Sequence, residues 1–143
     1  MRLGDPTDYP FLLERPAERT LGLARSWLRR EGGQGSWFLW VHLFDCHLPY
    51  AHAPEGSLAT TVHSPIDVRE ARIPVTPELQ IAVQEAYAAE VAYEDQQITR
   101  LLDALDERGF FAEGGVLVFA ADHGEELWDH AGFEHGHSHH GEV

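Results

Sequence analysis

Lysine is absent. All 10 basic residues of the 143-residue chain are arginine, so any cation offered to an anionic ligand must be Arg, protonated His or a bound metal. Positive charge is scarce altogether: 10 basic residues face 24 acidic ones, for a net charge of −14. Such a surface repels phosphates, which excludes nucleic acid as the expected partner. Cysteine is down to Cys46 alone, ruling out an internal disulfide framework and a Cys-rich zinc site. No stretch reaches the roughly 18 consecutive apolar residues of a membrane-spanning helix, so no membrane span is expected. Residues 1–6 put no apolar core behind a basic end and do not read as a secretion signal. At the other end, Gly141-Glu142-Val143 arrives without a closing helix or cap. The expectation is an interior piece of a longer domain.

What is present is the balance of a globular protein, 43% hydrophobic and 24% charged, at a length that allows one domain. Histidine is the unusual excess, with 10 in all and five between His130 and His140. Residues 1–15 read as a loop or partner-dependent arm. The segment 16–30 predicts a helix, with Pro16 in its first turn and Leu21, Leu23, Ala24, Trp27 and Leu28 as its apolar stripe. Glycines at 32, 33 and 35 stop it. The apolar, aromatic-rich run 37–44 predicts a strand buried on both faces. Four prolines mark 51–77 as a long irregular stretch, more typical of a functional surface loop than of core. Helical spacing of Val83, Tyr87, Val91, Ile98, Leu101, Leu102 and Leu105 predicts a long helix over 78–108, stopped by Gly109. A second buried strand is expected over 116–121.

Strand, long helix, strand implies a crossover connection and a parallel pair, hence an α/β fold. Two strands do not make a stable sheet, so further partners are expected. Ligands of open α/β sheets sit beyond the carboxyl ends of the strands. Both runs end there in an acid and an imidazole: Asp45 and His47 after the first, Asp122 and His123 after the second. A carboxylate beside an imidazole suits a divalent cation, and Gly124 permits a tight turn next to Asp122 and His123. The bland alternative for this pair is a solvated turn that closes a strand. His47 suits hydrogen bonding to an anionic oxygen or protonation of a leaving group; its bland alternative is a loop His held by a carbonyl. Cys46, with no base identifiable beside it, reads as a small inert apolar residue rather than a nucleophile. The His-rich segment from His135 through His137 to His140 is either an adventitious metal-binding tract or a lid whose histidines curl back over Asp122 and His123. Glu125 and Glu126 read as solvated or supporting groups, and His130 as either a loop-orienting or a ligand-facing residue.

Four stretches, in order along the chain, resemble the sulfatase family, a branch of the alkaline-phosphatase-like superfamily. The stretch 38–50 is similar to that family's strand and Asp-x-His-x-Pro-Tyr turn, and 87–110 to the helix that follows. The stretch 116–128, Val-Leu-Val-Phe-Ala-Ala-Asp-His-Gly-Glu-Glu-Leu-Trp, resembles its second metal-ligand strand, and 135–143 its His-Gly-x-Ser segment. The resemblance covers roughly residues 36–143. It implies a partial alkaline-phosphatase-like fold, with 1–35 as arm and helix and 36–143 as the motif-bearing part of a single domain. It also implies metal-dependent hydrolysis of sulfate esters. In that frame Asp122 and His123 are metal ligands, with Ca²⁺ the expected ion and Mn²⁺ or Zn²⁺ tolerated by an imidazole. His47 and His135 are catalytic, and His47, His135 and, as the lesser choice, His137 contact the substrate.

The departures are equally definite. The family's Cys-or-Ser-x-Pro-x-Arg nucleophile motif is absent, as is its first Asp-Asp pair, so no nucleophile is expected in this chain. A missing N-terminal half of the same domain is the implied partner, and the chain alone is expected to be inactive. Phosphodiester or phosphonate hydrolysis, or phosphoglycerol or phosphoethanolamine transfer, fits the same second-half motifs. A non-catalytic His-rich metal-binding fragment is the alternative from another class.

Overall fold

A computed structural model describes residues 15–32 and 35–136 of the chain. The N-terminal arm, Gly33 and the histidines from His137 onward lie outside the described residues. Among the described residues three α-helices and one 3-10 helix carry the architecture. Helix α1 (Ala17–Glu31) places Ala17, Leu21, Ala24 and Leu28 on its buried face, at the four-three-four spacing of one helical stripe. Its first N–H is capped from afar: Ala17 N donates to Asp45 Oδ1 at 2.9 Å. One oxygen of Asp45 thereby anchors α1, while its Oδ2 is buried without a hydrogen-bond partner among the described residues.

The irregular stretch between the first apolar run and the long helix turns out to be core-forming. It holds a 3-10 helix (Leu58–Thr61) and the short helix α2 (Pro65–Arg69). Ala59 and Val62 are buried, and Ser64 and Asp67 form a reciprocal capping box at the start of α2. Helix α3 (Pro77–Asp106) has Pro77 at its first position and a Thr76 hydroxyl that accepts the Leu79 N–H at 3.2 Å. Its 30 residues span about 45 Å.

That length lets α3 serve two cores. Its first half gives Leu79, Val83 and Ala86 to a cluster with Leu48, Tyr50, Ala59, Val62 and Phe133. Its second half gives Leu101 and Leu105 to a cluster with the buried face of α1. Between them the stripe continues through Glu90 and Gln97, polar residues that are 1% and 4% exposed. Among the described residues no helix is long and apolar enough to cross a membrane.

Neither expected strand is hydrogen-bonded into a ladder among the described residues, so the expected parallel sheet is not formed here. A sheet is defined by bonds to a neighbouring strand, and none of the described residues supplies one. Burial on both faces is also corrected. Trp37, Leu39, Val41 and Leu43 pack against the α1–α3 core, while Phe38 and Trp40 stand 83% and 78% exposed. The second run, 116–119, is exposed throughout. The two runs nevertheless share their starting point. Trp37 stacks on Phe110 with ring centroids 5.3 Å apart, and Gly115 N donates to Phe110 O at 2.8 Å. A single isolated antiparallel bridge, Leu127 with Phe133, is the β-structure among the described residues.

Candidate active site

The two runs also end together. His47 sits in the turn after the first, its N–H donating to Phe44 O at 3.1 Å. Its Nδ1–H donates to Leu48 O at 2.6 Å. His123 follows the second run and donates Nδ1–H to Gly124 O at 2.8 Å. His135, after the bridge, lies between them: its ring centroid is 4.1 Å from that of His123 and 5.7 Å from that of His47. Three segments far apart in the chain thus bring three imidazoles to one place.

Carboxylates surround them. His135 Nδ1 bonds Glu125 Oε1 at 3.1 Å, and Arg69 Nη2 donates to His135 O at 2.8 Å. Glu125 is not the solvated group its sequence position implied: its side chain is 6% exposed. Burial pushes its carboxyl up to about 7, against the pull of His123 and His47. Burial likewise raises Glu134 and lowers the His135 imidazolium.

Glu126 is fully buried and shapes the loop rather than the site. Its Oε1 accepts the Gly132 N–H at 2.6 Å and the His130 N–H at 3.1 Å. Tyr50, buried beneath the turn, is pushed far above the usual phenol range by desolvation, with Glu125 and Glu134 adding to it.

Asp122 is the most open member, with its side chain 81% exposed. Its Oδ1 accepts the His123 N–H at 3.1 Å, and its Oδ2 lies 3.8 Å from His123 Nε2. Backbone N–H bonds, its own first, hold its carboxyl below the usual range. An ionised carboxylate and an imidazole whose Nδ1–H is already spent on a carbonyl form a donor pair that fits a divalent cation as two of its ligands. Cys46 stays apart: its thiol donates to Glu94 Oε2 at 3.4 Å, and burial pushes it up to about 12. It is a poor nucleophile.

Of the residues picked from sequence, His47, His123 and His135 converge, Asp122 borders them, and His137 lies outside the described residues. Glu134 was missed. It brings a carboxylate oxygen to His47 and His135 such that one donor atom of each lies within 4.8 Å of the others. Its place directly after Phe133, which inserts into the core, was the available signal.

Comparison with known proteins adds two findings. A family model described as Sulfatase matches residues 2–142. The chain is also similar to the iduronate 2-sulfatase of Homo sapiens, 37% identical over 57 residues. That match takes in 40% of this chain and 10% of the relative, so it spans about a tenth of the relative's length. No solved structure matches.

Proposed function

The chain belongs to the sulfatase family, and we propose on that footing that it supplies the group-binding and leaving-group half of a sulfate-ester hydrolase site. The observation carrying this reading is the meeting of His47, His123 and His135 at the shared end of the two runs. The alkaline-phosphatase-like arrangement, with the two runs side by side in one parallel sheet, belongs to the same proposal. It is supported by their common start at Phe110 and common end at His135. A sulfatase relative favours sulfate over phosphate as the transferred group.

Hydrolysis at sulfur loads negative charge onto the sulfuryl oxygens and the departing alcohol oxygen, so the residues needed are those that offset that charge or deliver a proton. A divalent ion, Ca²⁺ by family resemblance, would be held by Asp122 and His123 and would offset charge on the sulfuryl oxygens. His47, its ring fixed by the bond to Leu48 O, presents Nε2 to a sulfuryl oxygen. His135 presents Nε2 to the alcohol oxygen and delivers its proton. Glu125 on Nδ1 fixes that ring's orientation, and the Glu134 carboxylate favours its protonated form. The attacking group must come from elsewhere, because no Cys-or-Ser-x-Pro-x-Arg motif is present.

The test is binding of 4-nitrophenyl sulfate to the chain with and without Ca²⁺, followed by histidine-ring NMR. Binding that requires Ca²⁺ and is weakened about tenfold or more in His47→Ala and Asp122→Ala, with no turnover, is the expected result. Binding indifferent to both substitutions refutes the assignment.

A further inference from the structure

We propose that His47, Glu134 and His135 form a site for a divalent transition ion, Zn²⁺ first, separate from the Asp122–His123 pair, and that an ion held there excludes the ester anion. The ion site stands on geometry alone; the exclusion rests on the sulfatase reading of the same histidines.

One donor atom from each residue already lies within 4.8 Å of the other two. Tetrahedral Zn²⁺ with bonds of about 2.1 Å sets its ligands about 3.4 Å apart, so closure asks for side-chain adjustments of about an ångström. The histidine tautomers are set for it. Leu48 O can only accept, so in His47 Nδ1 carries the hydrogen and the lone pair of the neutral ring is on Nε2; Glu125 in its ionised form sets His135 the same way. A ring held on one nitrogen by a carbonyl or carboxylate is the usual support of a metal-bound histidine.

Glu134 is fixed with similar care. Its φ of 65° is an unfavourable backbone state for a residue with a Cβ, and it is held there by its N–H to Glu126 O at 2.7 Å and by the Leu127–Phe133 bridge. Arg69 Nη2 lies 3.5 Å from its Oε2 and pairs with the carboxylate. Two imidazoles and one carboxylate leave a fourth position open and favour Zn²⁺ over Ca²⁺ or Mg²⁺. Nε2 of either histidine can face a metal or an ester oxygen, not both at once.

The probe is Zn²⁺ itself, titrated into the 143-residue chain against a chromophoric chelator, with Co²⁺ absorption as a second measurement. One ion is expected to bind with an affinity unchanged by Asp122→Ala, by millimolar Ca²⁺, or by replacing His137, His139 and His140 together with Ala. Glu134→Gln and His135→Ala are expected to weaken it about tenfold or more. Co²⁺ bound to the unmodified chain should show the intense visible bands of a four-coordinate ion, a readout that depends on no variant folding. Affinity lost with the three tail histidines, or untouched by Glu134→Gln and His135→Ala, overturns the site and leaves an adventitious ion only. Simultaneous binding of Zn²⁺ and 4-nitrophenyl sulfate overturns the exclusion. Loss of sulfate-ester binding in every form, with Zn²⁺ still bound as described, would sink the sulfatase assignment and not the ion site.

Discussion

Glu90 is the residue whose loss should reveal how the site-bearing turn is held. It lies on the core stripe of α3, 1% exposed, where the helical period calls for an apolar side chain. One carboxylate oxygen accepts the backbone N–H of His52 and the other bonds His52 Nδ1 at 2.7 Å, while the His52 ring stacks on Tyr93 at 3.7 Å. Glu90 also lines a cavity of about 200 Å³ together with Asp45 and His47. A hydrogen bond to a charged group contributes about 1.5–3 kcal/mol. The His52 side chain is 38% exposed and regains some water when released, so Glu90→Ala should cost about 3 kcal/mol rather than the full sum of two bonds. Against a total stability of about 5–15 kcal/mol this is a large fraction, equivalent to a fall in Tm of about 10 °C. Glu90→Gln keeps an acceptor for the backbone N–H and should cost about 1 kcal/mol, while Glu85→Ala on the exposed side of α3 should stay within about 0.5 kcal/mol. Urea unfolding at fixed pH, followed by circular dichroism, measures all three, and a cycle with His52→Ala should return a coupling of about 1–2 kcal/mol. A Glu90→Ala chain as stable as the parent, or a Gln variant as damaged as the Ala one, would refute the clamp.

Cys46 should resist thiol reagents in the folded chain. With its pKa pushed from 9.0 to about 12, the thiolate fraction at pH 8 falls about a thousandfold. Labelling should therefore be slow until denaturant is added, and labelling at the rate of a free cysteine would contradict the burial. Its partner Glu94 has a carboxyl raised above 4.5, chiefly by burial. The folded state therefore holds that proton to higher pH than the unfolded chain does. The stability this confers is complete at acid pH and lost as pH rises from 4.5 through the elevated native value. Glu94→Gln should flatten that part of the stability–pH curve, and an unchanged slope would count against it. Gly115 is confined by contact, since a Cβ there would meet the Phe110 ring and its carbonyl oxygen at 2.5 Å. Gly115→Ala should displace Phe110 from Trp37, costing about 2 kcal/mol and altering the near-ultraviolet circular dichroism of the aromatic stack; an unaltered spectrum would disprove the crowding.

What could be read from sequence divides along a physical line. Residues whose role follows from period were legible: the stripe of α1 and the extent of α3 to within two residues. Residues whose role depends on a distant partner were not. Glu90 breaks the apolar period because His52, 38 positions earlier, needs its carboxylate. Glu134 reaches the histidines only through a left-handed backbone turn that no glycine announces. The alternating exposure of 37–44 depends on what covers each face, which an all-apolar string cannot specify.

The sharpest case is the pair of acids that close the two runs. Asp45 and Asp122 occupy equivalent places in the pattern, each shortly before or beside a histidine that reaches the cluster. The helix α1 begins above the first and gives Asp45 Oδ1 an N–H to accept, which ties that acid to the helix start. Among the described residues no helix begins above the second, and Asp122 keeps its carboxylate open beside His123. The chemistry available at each strand end is therefore decided by whether a helix N-terminus arrives to claim the acid, a fact of topology and not of local lettering.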